Sequence, residues 1–450
     1  MNWNRRDFLK TAAVAAVTNR AAALHALARE FDRMRWFREA KFGMFIHWGP
    51  YSVAGVEASW PILRPKGEIT EAEYRALPQR FNPTLFDPHA WIALARSAGQ
   101  RYMVFTAKHC DGFCMFDSDY TNYKVTRTPY GKDVLRQLSD ACREENMPLG
   151  LYYSPPDVNH PAFRDTSKPS YTNYHGEPER PEWPLYLDYM GLQLDELLTR
   201  YGAVATMWFD WFDAVNMKMQ ERYDGQRFLR QLRHLQPAML VNNRLGIPAD
   251  FGTPEQIIPI SVPVKGVLMD SLARRSNPLM ASSVPRPEEF QPWETCMTIN
   301  DTWAYRPKDH NFKSSDKLIC TLIEVISRGG NLLLDVGPQP DGQIQPEFVE
   351  RLHAVGEWVR RNEAAIYGST YGWIQGQDPY RTTMRGASRF VFVMDETAIE
   401  VSIHQIERPV HQVKLLATGM PLNFQTNGKG IRVPIHKAFW EHGIPVLELI

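Results

Sequence analysis

Four short apolar runs in this sequence end in residues that can donate, accept or hold a proton. These residues are His47, His109, Asp210 and Arg244. Any one such residue at the end of a strand would be ordinary, but four strands that each end in such a side chain are not typical of a hydrophobic core. If the strands are parallel, their carboxyl ends meet at one edge, where barrel enzymes place their catalytic groups. The pattern therefore predicts one polar site assembled from several strands.

Asp210 is the sharpest candidate for a reacting group. It stands two residues after Trp208, so both side chains point to the same side of a strand. An aromatic wall and a carboxylate would then share one pocket. The structural alternative for Asp210 is an N-cap of the following helix. Asp213 is the other candidate for the cap, for a supporting group or for the nucleophile.

The elements that would position these residues alternate along the chain. Apolar runs cover residues 42–48, 102–106, 149–154, 203–210, 239–243 and 331–336, and stretches with helical spacing cover 88–97, 131–145, 184–201 and 223–235. Buried strands that alternate with helices indicate a parallel α/β sheet. No Gly-x-Gly-x-x-Gly motif follows the first strand, which argues against a dinucleotide-binding fold.

The pattern changes near residue 370 to a period of two, for example over 388–394, 398–404 and 412–416. Such alternation predicts an antiparallel sheet with one buried face. Residues 29–368 therefore fit a barrel or a doubly wound sheet, and a small antiparallel β domain follows over 369–450. A chain of 450 residues accommodates both units.

The first 28 residues resemble a twin-arginine export signal. Arg5 and Arg6 precede Phe-Leu-Lys, and a short apolar stretch follows over residues 11–17. Ala26 and Ala28 offer small side chains for cleavage, and residues 21–23, all alanine, are a competing site. The stretch is too short for a stable membrane span. We expect the twin-arginine translocase as a partner during export and a periplasmic or secreted location; an ordinary basic amphipathic helix is the alternative.

Charge and cysteine content exclude several functions. With 51 basic and 51 acidic residues the formal net charge is +0, so the chain lacks the field that nucleic acid requires. The five cysteines do not suggest a disulfide framework. Cys110 and Cys114 lie four apart, but no second pair follows that would complete a zinc site. We expect no cofactor and no metal.

Four motifs carry a resemblance to one family. They are residues 41–53 (KFGMFIHWGPYSV), 108–113 (KHCDGF), 208–210 (WFD) and 329–338 (GGNLLLDVGP). In this order they resemble the signatures of the α-L-fucosidases of glycoside hydrolase family 29, and the resemblance covers roughly residues 31–375. It implies a catalytic (β/α)8 TIM-like barrel over residues 29–368, followed by a small C-terminal antiparallel β-sandwich domain over 369–450. It also implies release of terminal α-L-fucose from fucosylated glycans with retention, through a covalent glycosyl-enzyme.

The resemblance also implies roles for single residues. Asp210 resembles the nucleophile and Trp208 its aromatic neighbour. The sugar contacts it implies are His47, Trp60, His109, Tyr152 and Arg244, although strand parity leaves Tyr152 and Tyr153 as alternatives.

Two glutamates compete for the role of acid/base. Glu255 lies in a segment that resembles the family's acid/base segment, and Glu294 follows Pro292 and Trp293. Retention requires two carboxyl groups roughly 5 to 5.5 Å apart. We favour Glu255 as the acid/base and expect Glu294 as a substrate contact, and the distance of each from Asp210 decides between them.

Two departures from the family pattern bear on specificity. His109 is followed by Cys110 where the family has a second histidine, and Ser59 precedes Trp60 where the family has glutamate, with Glu57 two residues earlier. A thiol is a weaker hydrogen-bonding group than imidazole. Another sugar such as L-galactose is therefore an alternative substrate, and a carbohydrate-binding barrel without catalysis or a metal-dependent hydrolase is an alternative of another class.

Overall fold

A computed structural model of the chain describes residues 33–210, 219–247, 249–259, 290–373, 379–404, 406, 408–428 and 430–450. The predicted export signal and Asp213 lie outside these ranges. The first part of the described chain forms a seven-stranded parallel sheet. Its strands are β1 (Phe42–Ile46), β2 (Met103–Lys108), β3 (Leu149–Tyr153), β4 (Thr206–Phe209), β5 (Leu240–Val241), β6 (Glu294–Thr298) and β7 (Asn331–Val336).

The strand order is β5-β4-β3-β2-β1-β7-β6, so the sheet curls with β5 and β6 at its two ends. Residues 251–255 lie between these ends. Parallel bridges join Phe251 to Asn242 beyond β5, and Gly252 and Glu255 to Trp293 and Cys296 on the β6 side. The curled parallel sheet with its bridged gap corresponds to the predicted TIM-like barrel, with residues 251–255 in the eighth position.

Each strand buries side chains on both of its faces, which is why the strands other than β6 contain few polar residues. Phe45, Tyr152 and Trp208 belong to a cluster that fills the interior of the curled sheet. Their neighbours Tyr153 and Phe209 belong to the larger cluster between the sheet and the helices. The structure thereby separates the two tyrosines of β3, because Tyr152 points inward and Tyr153 outward.

Helices cover the outer face of the sheet. Those of ten or more residues begin at polar side chains or at a proline in their first turn, as helix N-termini commonly do. The helices are α1 (Arg35–Ala40), α2 (Tyr51–Ala54), α3 (Trp60–Leu63), α4 (Glu71–Ala76), α5 (Pro88–Ser97), α6 (Val134–Glu144), α7 (Trp183–Arg200), α8 (Met219–Arg222), α9 (Gly225–Leu235), α10 (Ser315–Ser327), α11 (Pro346–Arg361) and α12 (Glu363–Ile366).

The C-terminal part consists of two antiparallel sheets, as predicted. Six strands follow the order β13-β12-β16-β10-β9-β8 and three the order β11-β15-β14. Val391, Val401, Val433 and Leu447 belong to one apolar cluster that contains residues of both sheets. The strands are β8 (Thr370–Tyr371), β9 (Tyr380–Arg385), β10 (Ser388–Val393), β11 (Glu400–Ile403), β12 (Val413–Leu415), β13 (Met420–Leu422), β14 (Gln425–Asn427), β15 (Gly430–Pro434) and β16 (Val446–Leu449).

Strand β10 contributes to two cores at once. Val391 and Val393 pack within the C-terminal domain, whereas Phe390 and Phe392 belong to the core of the barrel and its helices. Trp358 of α11 lies 6.3 Å from Phe392 between ring centroids, and its indole N–H donates to the Ile444 carbonyl at 2.9 Å. The six-stranded sheet is therefore packed directly on the helical layer of the barrel.

The sequence did not reveal β6. Its residues Glu294, Thr295 and Thr298 are polar, and all three are buried within the sheet. The periodicity that marked the other strands is therefore missing from this segment. No helix in the described ranges is both long and apolar enough to cross a membrane.

Candidate active site

A cleft opens where the parallel strands end, and it encloses about 160 Å³. Eight of the nine site residues predicted from the sequence line it, which means that side chains from widely separated parts of the chain meet there. These eight are His47, Trp60, His109, Tyr152, Trp208, Asp210, Arg244 and Glu255.

Asp210 follows the last residue of β4, and its backbone N–H donates to the Tyr153 carbonyl at 3.3 Å, which continues the sheet pairing. The side chain of Asp210 is 26% exposed. Its Oδ2 accepts a hydrogen bond from the Tyr152 hydroxyl at 2.7 Å, and its Oδ1 accepts one from Nη1 of Arg244 at 2.5 Å. Both oxygens of the carboxylate are thus held in place from within the barrel.

Arg244 is the centre of the site. It lies in a short 3₁₀ turn after β5, and its Nη1 donates to Asp210 and also to Oε2 of Glu255 at 2.8 Å. Thr253 fixes the other edge of the guanidinium, since its side-chain oxygen and its carbonyl each accept a hydrogen bond at 3.0 Å. Burial lowers the pKa of Arg244, but the charges of Glu255 and Asp210 outweigh that effect and raise it.

Glu255 and Asp210 therefore share one nitrogen. Because Oδ1 of Asp210 lies 2.5 Å from this nitrogen and Oε2 of Glu255 lies 2.8 Å from it, the two oxygens can be no further apart than these two distances together. This limit agrees with the roughly 5 to 5.5 Å between the carboxyl groups of a retaining glycosidase. The side chain of Glu255 is 35% exposed, against 26% for Asp210, so Glu255 lies nearer the open side of the cleft.

Glu294 does not line the cleft. It is the first residue of β6, and so lies below the mouth, at the opposite end of the strand. Its carboxyl group accepts hydrogen bonds from the Trp208 indole N–H at 3.0 Å and from the Tyr102 hydroxyl. Burial raises the pKa of Glu294 to about 7, although both hydrogen bonds act in the opposite direction. The structure thus brings Glu255, and not Glu294, to Asp210.

Stacked rings form one wall of the cleft. The rings of His109 and Tyr152 are nearly parallel, with centroids 5.5 Å apart, and Tyr152 in turn stacks on Trp208 at 5.8 Å. The guanidinium of Arg244 lies 4.7 Å from the centre of the Trp208 ring. Rings of this kind offer apolar faces on which the C–H groups of a sugar can pack.

His47 and His109 supply polar atoms to the same wall. Nδ1 of His109 lies 2.7 Å from the Ser59 hydroxyl, whose oxygen also accepts the Asp111 backbone N–H at 3.1 Å. Burial lowers the pKa of both histidines, and for His47 the charge of His109 adds to the effect. Both imidazoles are therefore uncharged at neutral pH and can each offer a ring nitrogen to a hydroxyl.

The two departures from the family pattern lie side by side. Ser59 contacts His109, and Cys110 also lines the cleft, with its sulfur 3.3 Å from Nδ1 of His109. Glu57 does not take the place of the missing glutamate. Its carboxylate instead accepts the backbone N–H groups of Trp303 at 2.9 Å and of Ala304 at 3.3 Å.

Sequence reasoning missed several residues of the cleft wall. Trp303 lies in the loop after β6, and its ring is 5.2 Å from that of His47. Trp303 is held there by a hydrogen bond from its backbone N–H to Glu57. No local sequence pattern indicates this contact, because the two residues are far apart in the sequence. The other residues that were not predicted are Phe45, Leu63, Ser154 and Cys296.

Within the described ranges, no cluster of three or more His, Cys, Asp or Glu side chains is arranged to hold a metal ion. The cleft instead offers two carboxylates on one arginine, uncharged imidazoles and aromatic faces at the mouth of a parallel barrel. These are the components with which a glycoside hydrolase cleaves a sugar acetal.

Comparison with known proteins leads to the same class. A sequence model of the family described as Alpha-L-fucosidase matches residues 11–364. Tissue alpha-L-fucosidase of Rattus norvegicus is 28% identical over 366 residues, which cover 76% of this chain and 71% of the rat protein. The chain therefore belongs to the α-L-fucosidase family and is a glycoside hydrolase.

Solved structures of α-L-fucosidases superpose on most of the chain. Alpha-L-fucosidase isoenzyme 1 from Paenibacillus thiaminolyticus superposes with a TM-score of 0.80 at 31% identity, covering 93% of this chain and 99% of that one. A Bacteroides thetaiotaomicron alpha-L-fucosidase, trapped as a covalent intermediate with 2-fluoro-fucosyl fluoride, superposes with a TM-score of 0.77 at 26% identity, covering 93% and 96%.

Proposed function

We propose that this chain is a retaining exo-α-L-fucosidase that releases terminal α-L-fucose from glycoconjugates or polysaccharides by double displacement. One observation carries the proposal: Asp210 and Glu255 bind the same nitrogen of Arg244, and the upper limit that this sets on their separation is compatible with retention. The relatives trapped or named as α-L-fucosidases support the choice of sugar. The small cleft, with its polar and apolar walls, suits one deoxy sugar ring.

In the first step Asp210 attacks the anomeric carbon. A bond forms between the carboxylate oxygen and that carbon, the bond to the leaving oxygen breaks, and Glu255 gives its proton to that oxygen. The position of Glu255 near the open side of the cleft suits this role, because the leaving group must extend towards solvent. Arg244 and Tyr152 hold Asp210 in line for the attack.

In the second step water takes the place of the leaving group. Glu255 accepts a proton from the water, the water oxygen bonds to the anomeric carbon, and the bond from that carbon to Asp210 breaks. The sugar leaves with its original configuration, since the carbon was inverted twice. Both carboxylates that this mechanism requires are present in the cleft, and their presence argues against a carbohydrate-binding barrel without catalysis.

Azide distinguishes the two roles. In Asp210→Gly, azide can enter the vacated space and attack the anomeric carbon directly, which gives a glycosyl azide of inverted configuration. In Glu255→Ala, an aryl fucoside with an acidic phenol still forms the intermediate, and azide then gives a product of retained configuration. Inverted product from both variants would overturn the assignment.

The control for this experiment is Glu294→Ala. If Glu294 were the acid/base, this variant would give the retained azide product while Glu255→Ala stayed close to normal on natural substrates. We expect the reverse, because Glu294 is enclosed by Trp208 and Tyr102 and does not line the cleft.

A second candidate function is the same reaction on L-galactose or another sugar of similar configuration. It is favoured by Ser59 and Cys110, two small side chains beside His109 where the family pattern has larger ones. Initial rates on aryl α-L-fucoside, α-L-galactoside and β-D-galactoside decide between the sugars. We expect the fucoside to be fastest, and a faster α-L-galactoside would favour the alternative.

We further propose export to the periplasm or the exterior by the twin-arginine route. The support is the sequence of the first 28 residues, which lie outside the described ranges. Changing Arg5 and Arg6 to Lys should block export, and the exported protein should lack residues up to about Ala28. Intact mass of the exported protein tests this, and retention of Met1 would contradict it.

A further inference from the structure

Asp335 lies directly behind His47 in the barrel. It is the fifth residue of β7, which pairs with β1, and it is 1% exposed. Its Oδ1 lies 2.7 Å from Nδ1 of His47. The other ring nitrogen of His47, Nε2, is the one left for the cleft that His47 lines.

The surroundings of Asp335 are unfavourable for a negative charge. Its Oδ2 is buried and has no hydrogen-bond partner in the described part of the chain. No Lys or Arg of the described ranges forms an ion pair with it. The titratable groups that face it are His47, the phenol of Tyr51 and the carboxyl group of Glu57, and none of these supplies a fixed positive charge.

An ionised carboxylate with one unpartnered buried oxygen carries a large desolvation penalty. Burial accordingly raises the pKa of Asp335 well above its ordinary value, and the charge of Glu57 raises it further. A neutral carboxylic acid has a hydroxyl to donate, and Nδ1 of an uncharged imidazole can accept it only if the ring proton is on Nε2.

We propose that Asp335 is a positioning residue that remains protonated, donates to Nδ1 of His47 and so fixes the tautomer whose Nε2–H points into the cleft. His47 then acts as a hydrogen-bond donor to an oxygen of the bound sugar. An ionised Asp335 would impose the other tautomer, with a proton on Nδ1 and a bare acceptor in the cleft. The inference rests on the proposed function only in taking the cleft as the sugar site.

The direct test is the tautomer of His47 in the full-length protein. Long-range ¹H–¹⁵N correlation spectra of histidine-labelled protein near neutral pH distinguish a ring protonated on Nε2 from one protonated on Nδ1. The signal is assigned by its loss in His47→Gln. We expect the Nε2–H form, and an Nδ1–H form or a doubly protonated ring would overturn the proposal.

Two variants of Asp335 extend the test. In Asp335→Asn the amide can donate to Nδ1 as the acid does, so the tautomer should persist and the Kd for L-fucose should stay within about threefold. Asp335→Leu removes the donor at similar volume, so both tautomers should appear and the Kd should rise about tenfold or more. Equal spectra and equal Kd for wild type and Asp335→Leu would overturn the proposal.

The readouts separate this inference from the proposed function. The tautomer is measured without any sugar, so it stands or fails independently of the substrate. Hydrolysis of fucosides could be absent while His47 still carries its proton on Nε2, in which case only the proposed function fails. If Asp335→Leu does not fold, as thermal unfolding would show, the spectrum of the wild type and that of Asp335→Asn still decide.

Discussion

The hydroxyl of Tyr152 donates a hydrogen bond to Oδ2 of Asp210 at 2.7 Å. The ring that carries this hydroxyl lies between those of His109 and Trp208, and the bond thus links the aromatic wall to the carboxylate. In the proposed reaction, a carboxylate held in this way would reach the anomeric carbon without first having to reorganise.

Tyr152→Phe removes that hydrogen bond and keeps the stacked ring. Because a hydrogen bond to a charged group contributes about 1.5 to 3 kcal/mol, we expect kcat/KM on an aryl α-L-fucoside to fall about 10- to 100-fold. The matched control is Tyr153→Phe, whose hydroxyl binds Gln193 on the outer side of the sheet. A similar loss in both variants would show that the effect is one of folding and not of the site.

Arg244→Lys should abolish most of the activity. Lysine keeps a positive charge but lacks the planar guanidinium that reaches Asp210, Glu255 and both oxygen acceptors of Thr253 at once. We expect kcat to fall about 100-fold or more. Arg227→Lys, at an exposed pair with Asp188, is the control and should retain full activity. A substantially active Arg244→Lys would mean that charge alone suffices.

Glu294→Gln should change how the free energy of unfolding depends on pH. The pKa of Glu294 is raised to about 7, so the folded protein keeps this proton in a range where the unfolded chain releases it. The stability from this group is present at low pH and is lost as the pH rises through about 7. Glutamine cannot ionise, and its amide can still bond Trp208 and Tyr102.

Denaturant unfolding of both proteins at about pH 5 and about pH 8 measures this difference. The wild type should lose more stability than Glu294→Gln between the two, while other titrating groups, Glu57 among them, cancel in the comparison. Activity should remain within a few-fold of the wild type. Equal losses in the two proteins would contradict the raised pKa.

Cys110 should react slowly with iodoacetamide although it lines the cleft. Burial raises its pKa far above the ordinary value of a thiol, and only 5% of the residue is exposed, so the reactive thiolate is scarce. Peptide mass spectrometry should find Cys320, which is half-buried, labelled first. Rapid labelling of Cys110 with loss of activity, prevented by L-fucose, would contradict this expectation.

The sequence was sufficient to predict the residues that close the parallel strands. His47, His109 and Asp210 each follow a run of mostly apolar residues. The run identifies the strand, and its direction along the chain shows that the residue after it lies at the carboxyl end of the sheet. Strand parity also placed Trp208 on the same side as Asp210. Parity could not choose between Tyr152 and Tyr153, because β3 is buried on both faces and carries one tyrosine on each.

Other parts of the site depend on contacts that no local pattern records. Glu294 was expected at the substrate because the apolar signal of β6 is too weak to show that this residue begins a strand rather than ending one. Trp303 reaches the cleft because Glu57 binds its backbone across the mouth of the barrel. Asp335 was visible only as part of a motif, and its contact with His47 follows from the pairing of β7 with β1.

The two faces of β10 bear on any attempt to obtain a minimal enzyme. Phe390 and Phe392 belong to the core that includes Trp358. A truncation near residue 368 would therefore remove part of that core and expose apolar side chains on the helical layer. Such a fragment should aggregate unless Trp358 and its neighbours were redesigned. The C-terminal unit is therefore not a detachable module, and chimaeras with other modules should keep the six-stranded sheet and replace no more than the outer three-stranded one.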